Sequence, residues 1–269
     1  MAGRDNGQAG ASAAVCLVGL VLLAAAAPSA QAQYPEPTEP QANPCLGEQA
    51  PLLLCPDLQM GPPSGLFSSS GADKVLLHAS NDIRSRGEGP LEIRGTRISK
   101  RYMSVRQAIR TTAGKRRLYD TPGRLIFYKI PGQGPYWKFR FAALFQIWSL
   151  DEAGNRVELL RKGPKVSYCF RDLKRTRPGP DSPGKRIYPA CSQDPKLEAR
   201  TLGTSVGWSD IYPSTYYQNW INVKGLRGCF ELVITADPLN HLFENDEANN
   251  EGSRRVRLPA PNRGGVPSC

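Results

Sequence analysis

Histidine is almost missing: His78 and His241 are the only two in 269 residues, and they lie far apart in the chain. That scarcity excludes a centre built on three imidazoles and leaves a Ser-His-Asp or Cys-His arrangement without support. His78 falls in the apolar segment VLLHAS and reads as a strand histidine with a local partner. His241 precedes an acidic loop, where Glu244 or Asp246 could hold it. No Cys-x-x-Cys pair occurs, which argues against a zinc ribbon or thioredoxin-like chemistry. No glycine-rich phosphate loop opens a helix, so nucleotide binding has no basis. Long stretches with apolar residues at helical spacing are absent too.

What the chain does have is short apolar segments separated by Gly, Pro and Asn. Candidate strands are 74–83, 91–95, 123–130, 136–150, 164–170, 220–225, 229–237 and 254–258. Phe230, Leu232 and Ile234 alternate with Glu231 and Thr235, the pattern of a half-buried strand. The expected fold is all-β, a single antiparallel β-sandwich with disulfides and little helix. The long basic loop KRTRPGPDSPGKR (174–186) is expected at the surface.

Arg4, the apolar run VCLVGLVLLAAAA (15–27) and Ala30-Gln31-Ala32 form the pattern of a secretory signal, with cleavage expected just before Gln33. The run is short for a membrane span, so a retained anchor is the weaker alternative. The organisation expected is a signal peptide at 1–32, a Pro-rich linker at 33–54, a β-sandwich domain at 55–258 and an irregular tail at 259–269. Removing the signal takes Cys16 with it and leaves Cys45, Cys55, Cys169, Cys191, Cys229 and Cys269. An even count in an exported chain implies disulfides. Nearness in sequence pairs Cys45 with Cys55, and elimination joins Cys229 to Cys269 once the remaining pair is assigned.

The net charge of +11 gathers in Lys115-Arg116-Arg117, Arg161-Lys162, Lys174-Arg175 with Arg177, Lys185-Arg186, and Arg254-Arg255 with Arg257. For an exported protein this suits an extracellular or cell-envelope acidic polymer or protein as partner. Solvated loops without any partner are the plainer alternative. Nucleic acid fits poorly, because no binding motif accompanies the basic clusters, and no membrane span is expected after signal removal.

Several blocks between Cys55 and Arg257 together resemble the lysyl oxidase family. They are CPDL (55–58), LLHASNDIRSRGEGPLEIRG (76–95), LIFYKIPGQGPYWKFRFAALFQIWSL (125–150), GPKVSYCFRD (163–172), GTSVGWSDIY (203–212), QNWINVKGL (218–226) and CFELVITADPLNHLFENDEANN (229–250). The resemblance implies that Cys169 pairs with Cys191. It also implies a copper-binding His-x-His-x-His run, whose three positions fall here on Gly134, Tyr136 and Lys138. A glycine, a phenol and an ammonium cannot replace neutral imidazoles on copper(II).

In that family a lysine adds to a copper-oxidised tyrosine to make a lysine tyrosylquinone. The matching precursors are Lys165 in GPKVSYC and Tyr212 in GWSDIY. Without copper neither the oxidation nor the addition has a driver, and both residues also read as ordinary structural side chains. Asp210, two residues from Tyr212, is placed to shift its ionisation.

The resemblance further implies calcium. Glu244, Asp246, Asn249 and Asn250 stand in the order E-x-D-x-x-N-N, and Asp57 with the Leu58 carbonyl completes the set. Oxygen donors of this kind suit calcium, and the site would tie the first segment to the last hairpin. A metal-free acidic turn that caps the hairpin is the alternative.

The expectation is a secreted lysyl oxidase-like protein that has lost copper and amine oxidase activity and acts as a calcium-stabilised binding or structural module. Two alternatives stay open. One is an active copper-dependent protein-lysine 6-oxidase that draws its ligands from elsewhere. The other is an adhesion module that shares only the sandwich.

Overall fold

The computed structural model describes residues 42–261 and 264–269, so the expected signal peptide and the first part of the expected linker lie outside the described residues. Five strands open the domain: β1 (Leu53–Leu54), β2 (Leu58–Met60), β3 (Ser64–Ser70), β4 (Val75–Ser85) and β5 (Leu91–Arg97). Four longer ones follow: β6 (Tyr102–Thr111), β7 (Arg116–Ile130), β8 (Gly134–Leu150) and β9 (Arg156–Tyr168). The short strands β10 (Lys174–Arg175), β11 (Ala199–Thr204), β12 (Trp208–Tyr212) and β13 (Trp220–Asn222) precede the closing hairpin of β14 (Gly228–Ala236) and β15 (Glu251–Leu258). The only helical element among the described residues is one 3-10 turn at Ala50–Leu52.

The strands form two antiparallel sheets, which gives the expected sandwich. The larger runs β11-β5-β6-β7-β8-β14-β15, with β1 added on β6 and β9 on β8. The smaller runs β10-β12-β4-β13, with β2 and β3 also on β4. β4 shows why the smaller sheet forms. Leu77, Ala79, Asn81, Ile83 and Ser85 are buried while the residues between them are half-exposed, the period-2 signature of a strand with one covered face.

Between the sheets lie Ile93, Met103, Leu125, Phe139, Phe145, Leu202, Ile221 and Leu232, all fully buried. Each such side chain contributes roughly 1.5–3 kcal/mol relative to exposure. A smaller cluster joins Cys45, Leu53, Cys55, Ile109 and Phe243. The segment read as linker is therefore fastened to the domain in its described part. Its Pro-rich composition concealed a disulfide, a strand on β6 and a buried leucine.

Three disulfides join the expected pairs: Cys45–Cys55, Cys169–Cys191 and Cys229–Cys269. Their Cα separations of 5.9, 5.6 and 5.9 Å suit such bonds. The basic loop after β9 is anchored at both ends. Its Lys174–Arg175 pair forms β10 beside β12, and Trp208 Nε1 donates to the Pro183 carbonyl at 2.9 Å. Buried Asp172 holds the loop from within, accepting from the backbone N–H groups of Ile187 (2.8 Å), Tyr188 (3.2 Å) and Ser205 (2.7 Å) and from the Ser205 hydroxyl (2.8 Å).

Two placements position the sites described next. Tyr212 lies opposite Asn81 and Asp210 opposite Ile83, so β12 presents both to the interior. Gly252 in β15 allows β2 to approach, because a Cβ there would collide with the carbonyl oxygen of Gly61.

Candidate functional site

A cluster of tyrosines occupies the interior around Tyr212. Its ring stacks on Tyr168 with centroids 3.7 Å apart and meets Tyr216 edge-on at 4.9 Å. The Tyr212 hydroxyl accepts the Cys169 backbone N–H at 2.7 Å. Tyr168 donates to Asn219 Oδ1 at 2.6 Å and accepts from the Asn81 amide. Burial, followed by the charge of Asp210, raises Tyr212 well above the ordinary phenol value. Burial also raises Tyr168.

Lys138 enters this cluster. It is 4% exposed, and its ammonium donates to the Tyr216 hydroxyl. The same nitrogen lies 4.8 Å from the ring centroid of Tyr216, 5.6 Å from Tyr212 and 5.7 Å from Tyr136. Such faces attract a cation, yet the loss of water is the larger effect. Burial lowers the lysine to about 7, with the negative charge of Asp210 opposing the change. Asp210 is fully buried, and Arg171 Nε stands 3.7 Å from one of its oxygens. Burial raises this carboxyl to about 7, against the pull of Arg171. Burial thus pushes the amine down and the carboxyl up, each disfavouring its charged form. The rings of Tyr136, Tyr212 and Tyr216 surround the amine.

The residues singled out from the sequence are divided by the structure. Lys165 is exposed, with its ammonium 5.0 Å from the ring centroid of Phe141. Along β9, buried Val166 and Tyr168 alternate with Lys165 and Ser167, and Tyr168 is the residue that stacks on Tyr212. Lys165 and Tyr212 are therefore not brought together; Lys138 is the lysine at Tyr212. Gly134 sits at the β7–β8 turn with φ +95°, a conformation that favours glycine. His78 points to the outer side of β4, stacks on Phe67 and shares a 2.8 Å hydrogen bond with the Ser69 hydroxyl. His241 lies in the connection between β14 and β15.

A second cluster forms where β2 meets that same connection. The Arg86 N–H donates to the Asp57 carbonyl at 2.8 Å, which makes Leu58 and Ser85 a non-hydrogen-bonded pair. The N–H and C=O of Leu58 therefore point away from β4, and the N–H donates to the Glu244 carboxylate. Glu244 is fully buried and also accepts from Asn250 Nδ2 at 3.1 Å. Burial, then the neighbouring charge of Asp237, raises Glu244 well above the carboxylate range. Asp237 is itself raised to about 7 by burial. One buried oxygen each of Asp57, Asp237, Glu247, Asn249 and Asn250 has no hydrogen-bond partner among the described residues. Asp246 is exposed and accepts from Asn249 Nδ2 at 2.9 Å. Leu58, Glu244 and Asn250 are thus joined by hydrogen bonds, Asn249 pairs with Asp246 at the exposed edge, and the Asp57 carboxylate accepts from Gln59 Nε2 at 2.9 Å.

Among the described residues, no three or more His, Cys, Asp or Glu side chains gather in a group able to hold a metal ion. The oxygen cluster depends on amide and backbone oxygens as well as carboxylates. Its unpartnered acceptors are the features that a hard cation would satisfy.

No family model matches the chain, and no curated protein matches it either.

Sequence reasoning singled out Tyr212, Asp57 and Glu244 but missed Asp237, Tyr168 and Tyr216. Only a fold could gather these three around their neighbours. Asp237 did carry one signal, as a lone acid that ends the apolar run of β14.

Proposed function

We propose that the chain is an exported relative of lysyl oxidase that does not carry out copper-dependent amine oxidation. It works instead as a calcium-stabilised binding or structural module on an extracellular or cell-envelope acidic polymer. The observation that carries this reading is Lys138, a buried cation packed against Tyr212 at the last of the three copper positions. Gly134, Tyr136 and Lys138 supply no imidazole, so the residues present do not fit copper. The three disulfides suit an oxidising compartment. Among the described residues no helix is long and apolar enough to cross a membrane.

The oxygen cluster fits calcium. Asp57, the Leu58 carbonyl, Glu244, Asn249 and Asn250 would hold the ion, with Asp246 at the edge. Bound there, calcium would offset the charge of buried carboxylates and join β2 to the β14–β15 connection. The alternative of a protein-lysine 6-oxidase needs His78 and His241 to meet with further donors. They stand on different elements, and no observation favours that reading.

The test is metal analysis of the disulfide-intact mature protein after separate loading with calcium and copper, with hydrogen peroxide release assayed on a lysine-rich substrate. The reading expects calcium near one equivalent, negligible copper and no peroxide. Stoichiometric copper, or peroxide release abolished by Tyr212→Phe, overturns it.

A further inference from the structure

We propose that the outer face of β5, β6 and β7 is a binding site for a linear acidic polysaccharide. This deepens the polymer-binding reading above and rests on it.

The strand register creates the site. Arg94 of β5 stands opposite Arg106 of β6, and Arg110 of β6 stands opposite Arg116 of β7. Met103, Val105 and Ile109 of β6 are buried among the core clusters, so Arg106 and Arg110 lie on the outward side. Like charges directly opposite in an antiparallel pair destabilise a sheet, and here the sheet carries two such pairs.

The compensation is incomplete. Glu92, 4% exposed, receives Arg94 at 2.7 Å and Arg116 at 3.4 Å, and the Tyr188 hydroxyl donates to it at 2.9 Å. That one buried carboxylate fixes two of the four guanidinium groups. Among the described residues Arg106 and Arg110 make no ion pair within 4.0 Å, although Asp120 lies opposite Arg106 in the register. Arg110 and Arg116 also line a cavity of about 390 Å³ together with Leu54, Thr111, Thr112 and Gly114.

Spacing identifies the ligand class. The members of each arginine pair lie on adjacent strands, about 4.8 Å apart, and the two pairs are separated by roughly 13 Å along β6. A single small anion spans one pair only. An extended chain with regularly spaced sulfates or carboxylates engages both, and guanidinium forks suit either group. Single-stranded nucleic acid binds by stacking bases on exposed aromatic rings, and no aromatic residue lines the cavity.

Binding of the calcium-loaded mature protein to immobilised dextran sulfate and to polygalacturonate tests this, with a single-stranded oligonucleotide and anionic phospholipid vesicles as competing probes. The expected result is binding to at least one polysaccharide that weakens tenfold or more in Arg106→Gln/Arg110→Gln, and that falls with added salt. The two polymers distinguish sulfate from carboxylate as the preferred group. Arg254→Gln/Arg257→Gln, which removes the same charge from β15, is expected to bind like the parent. Neither variant is expected to lower the thermal midpoint, because the altered side chains are outside the core and Arg106→Gln/Arg110→Gln relieves two like-charge pairs.

Equal losses in the two variants, or tighter binding to oligonucleotide or vesicle, overturn the site. Absence of binding to every polyanion by the parent protein overturns the polymer-binding reading as well. Parent binding that survives Arg106→Gln/Arg110→Gln overturns the site alone.

Discussion

The ammonium of Lys138 lies 5.6 Å from the ring centroid of Tyr212, while that of exposed Lys165 lies 5.0 Å from the ring centroid of Phe141. This buried amine makes stability depend on pH. Its folded value of about 7 lies below the 10.5 of an unperturbed lysine. Between the two values the unfolded chain holds the extra proton, so stability rises with pH across that window. The gain is complete above about pH 10.5 and lost as pH falls to about 7, and its size is on the order of a few kcal/mol. Urea unfolding at pH 7 and pH 9.5 is expected to show the rise in the parent and a much flatter profile in Lys138→Met. Parallel profiles would mean that Lys138 keeps an ordinary proton affinity.

Asp172 carries a comparable load at the base of the basic loop, where four donors converge on one buried carboxylate. Asp172→Ala strands those donors and is expected to cost about 3 kcal/mol or more in urea unfolding. The loop between Lys174 and Arg186 should then become sensitive to trypsin while the rest of the domain stays resistant. A loss below about 0.5 kcal/mol, the scale of an ordinary surface change, would show that the loop is held by other contacts.

Calcium should act as a ligand of the folded state alone. At a hundredfold excess over its dissociation constant it adds about 2.7 kcal/mol. For a domain of this size that raises the thermal midpoint by roughly 5–10 °C. Scanning calorimetry with and without 1 mM calcium is expected to show the shift in the parent and not in Glu244→Gln or Asn250→Ala. Magnesium should produce little, since it demands a tighter octahedral set. A parent midpoint indifferent to calcium would favour the metal-free capping turn.

The sandwich was legible because its strands are short apolar segments set between Gly, Pro and Asn, with alternation plain in Phe230, Leu232 and Ile234 of β14. The expected spans of β4, β5, β8 and β14 fall within two residues of the observed ones. β6 was not legible, and its reason is chemical. Gln107 occupies a core position, where it donates to the Phe243 carbonyl at 2.7 Å and accepts the Phe243 N–H at 2.8 Å, and this breaks the apolar alternation. Arg106 and Arg110 flank it and make the segment look like a solvated loop. β12 was hidden in the same way by Ser209 and Asp210, both polar and both fully buried. The oxygen cluster was visible as E-x-D-x-x-N-N, but the outward turn of Asp246 was not, because its partner Asn249 is chosen by the loop conformation. Lys138 read as an unsuitable copper ligand; that it would be buried among tyrosines depends on contacts from β8, β12 and the loop after β12.

The Cys229–Cys269 bond closes a loop with a sequence separation of 40 and holds the final segment on β14. Within that segment Val266 is buried, Gly265 bridges to Phe67 of β3, and the Arg257 N–H donates to the Pro267 carbonyl at 2.8 Å. A crosslink over a loop of this length restricts the unfolded chain by about 4 kcal/mol in the chain-entropy treatment, against a usual range of roughly 2–4 kcal/mol. Cys229→Ser/Cys269→Ser is therefore expected to lose about 2–4 kcal/mol in urea unfolding while Cys45–Cys55 and Cys169–Cys191 remain oxidised. The loss should reach the slowest-exchanging amides of β14 in equal measure, so their exchange is expected to accelerate by no more than the stability lost in urea. If exchange in β15 accelerates well beyond that global loss, the bond acts by holding the native edge of the large sheet, and the unfolded-state account fails.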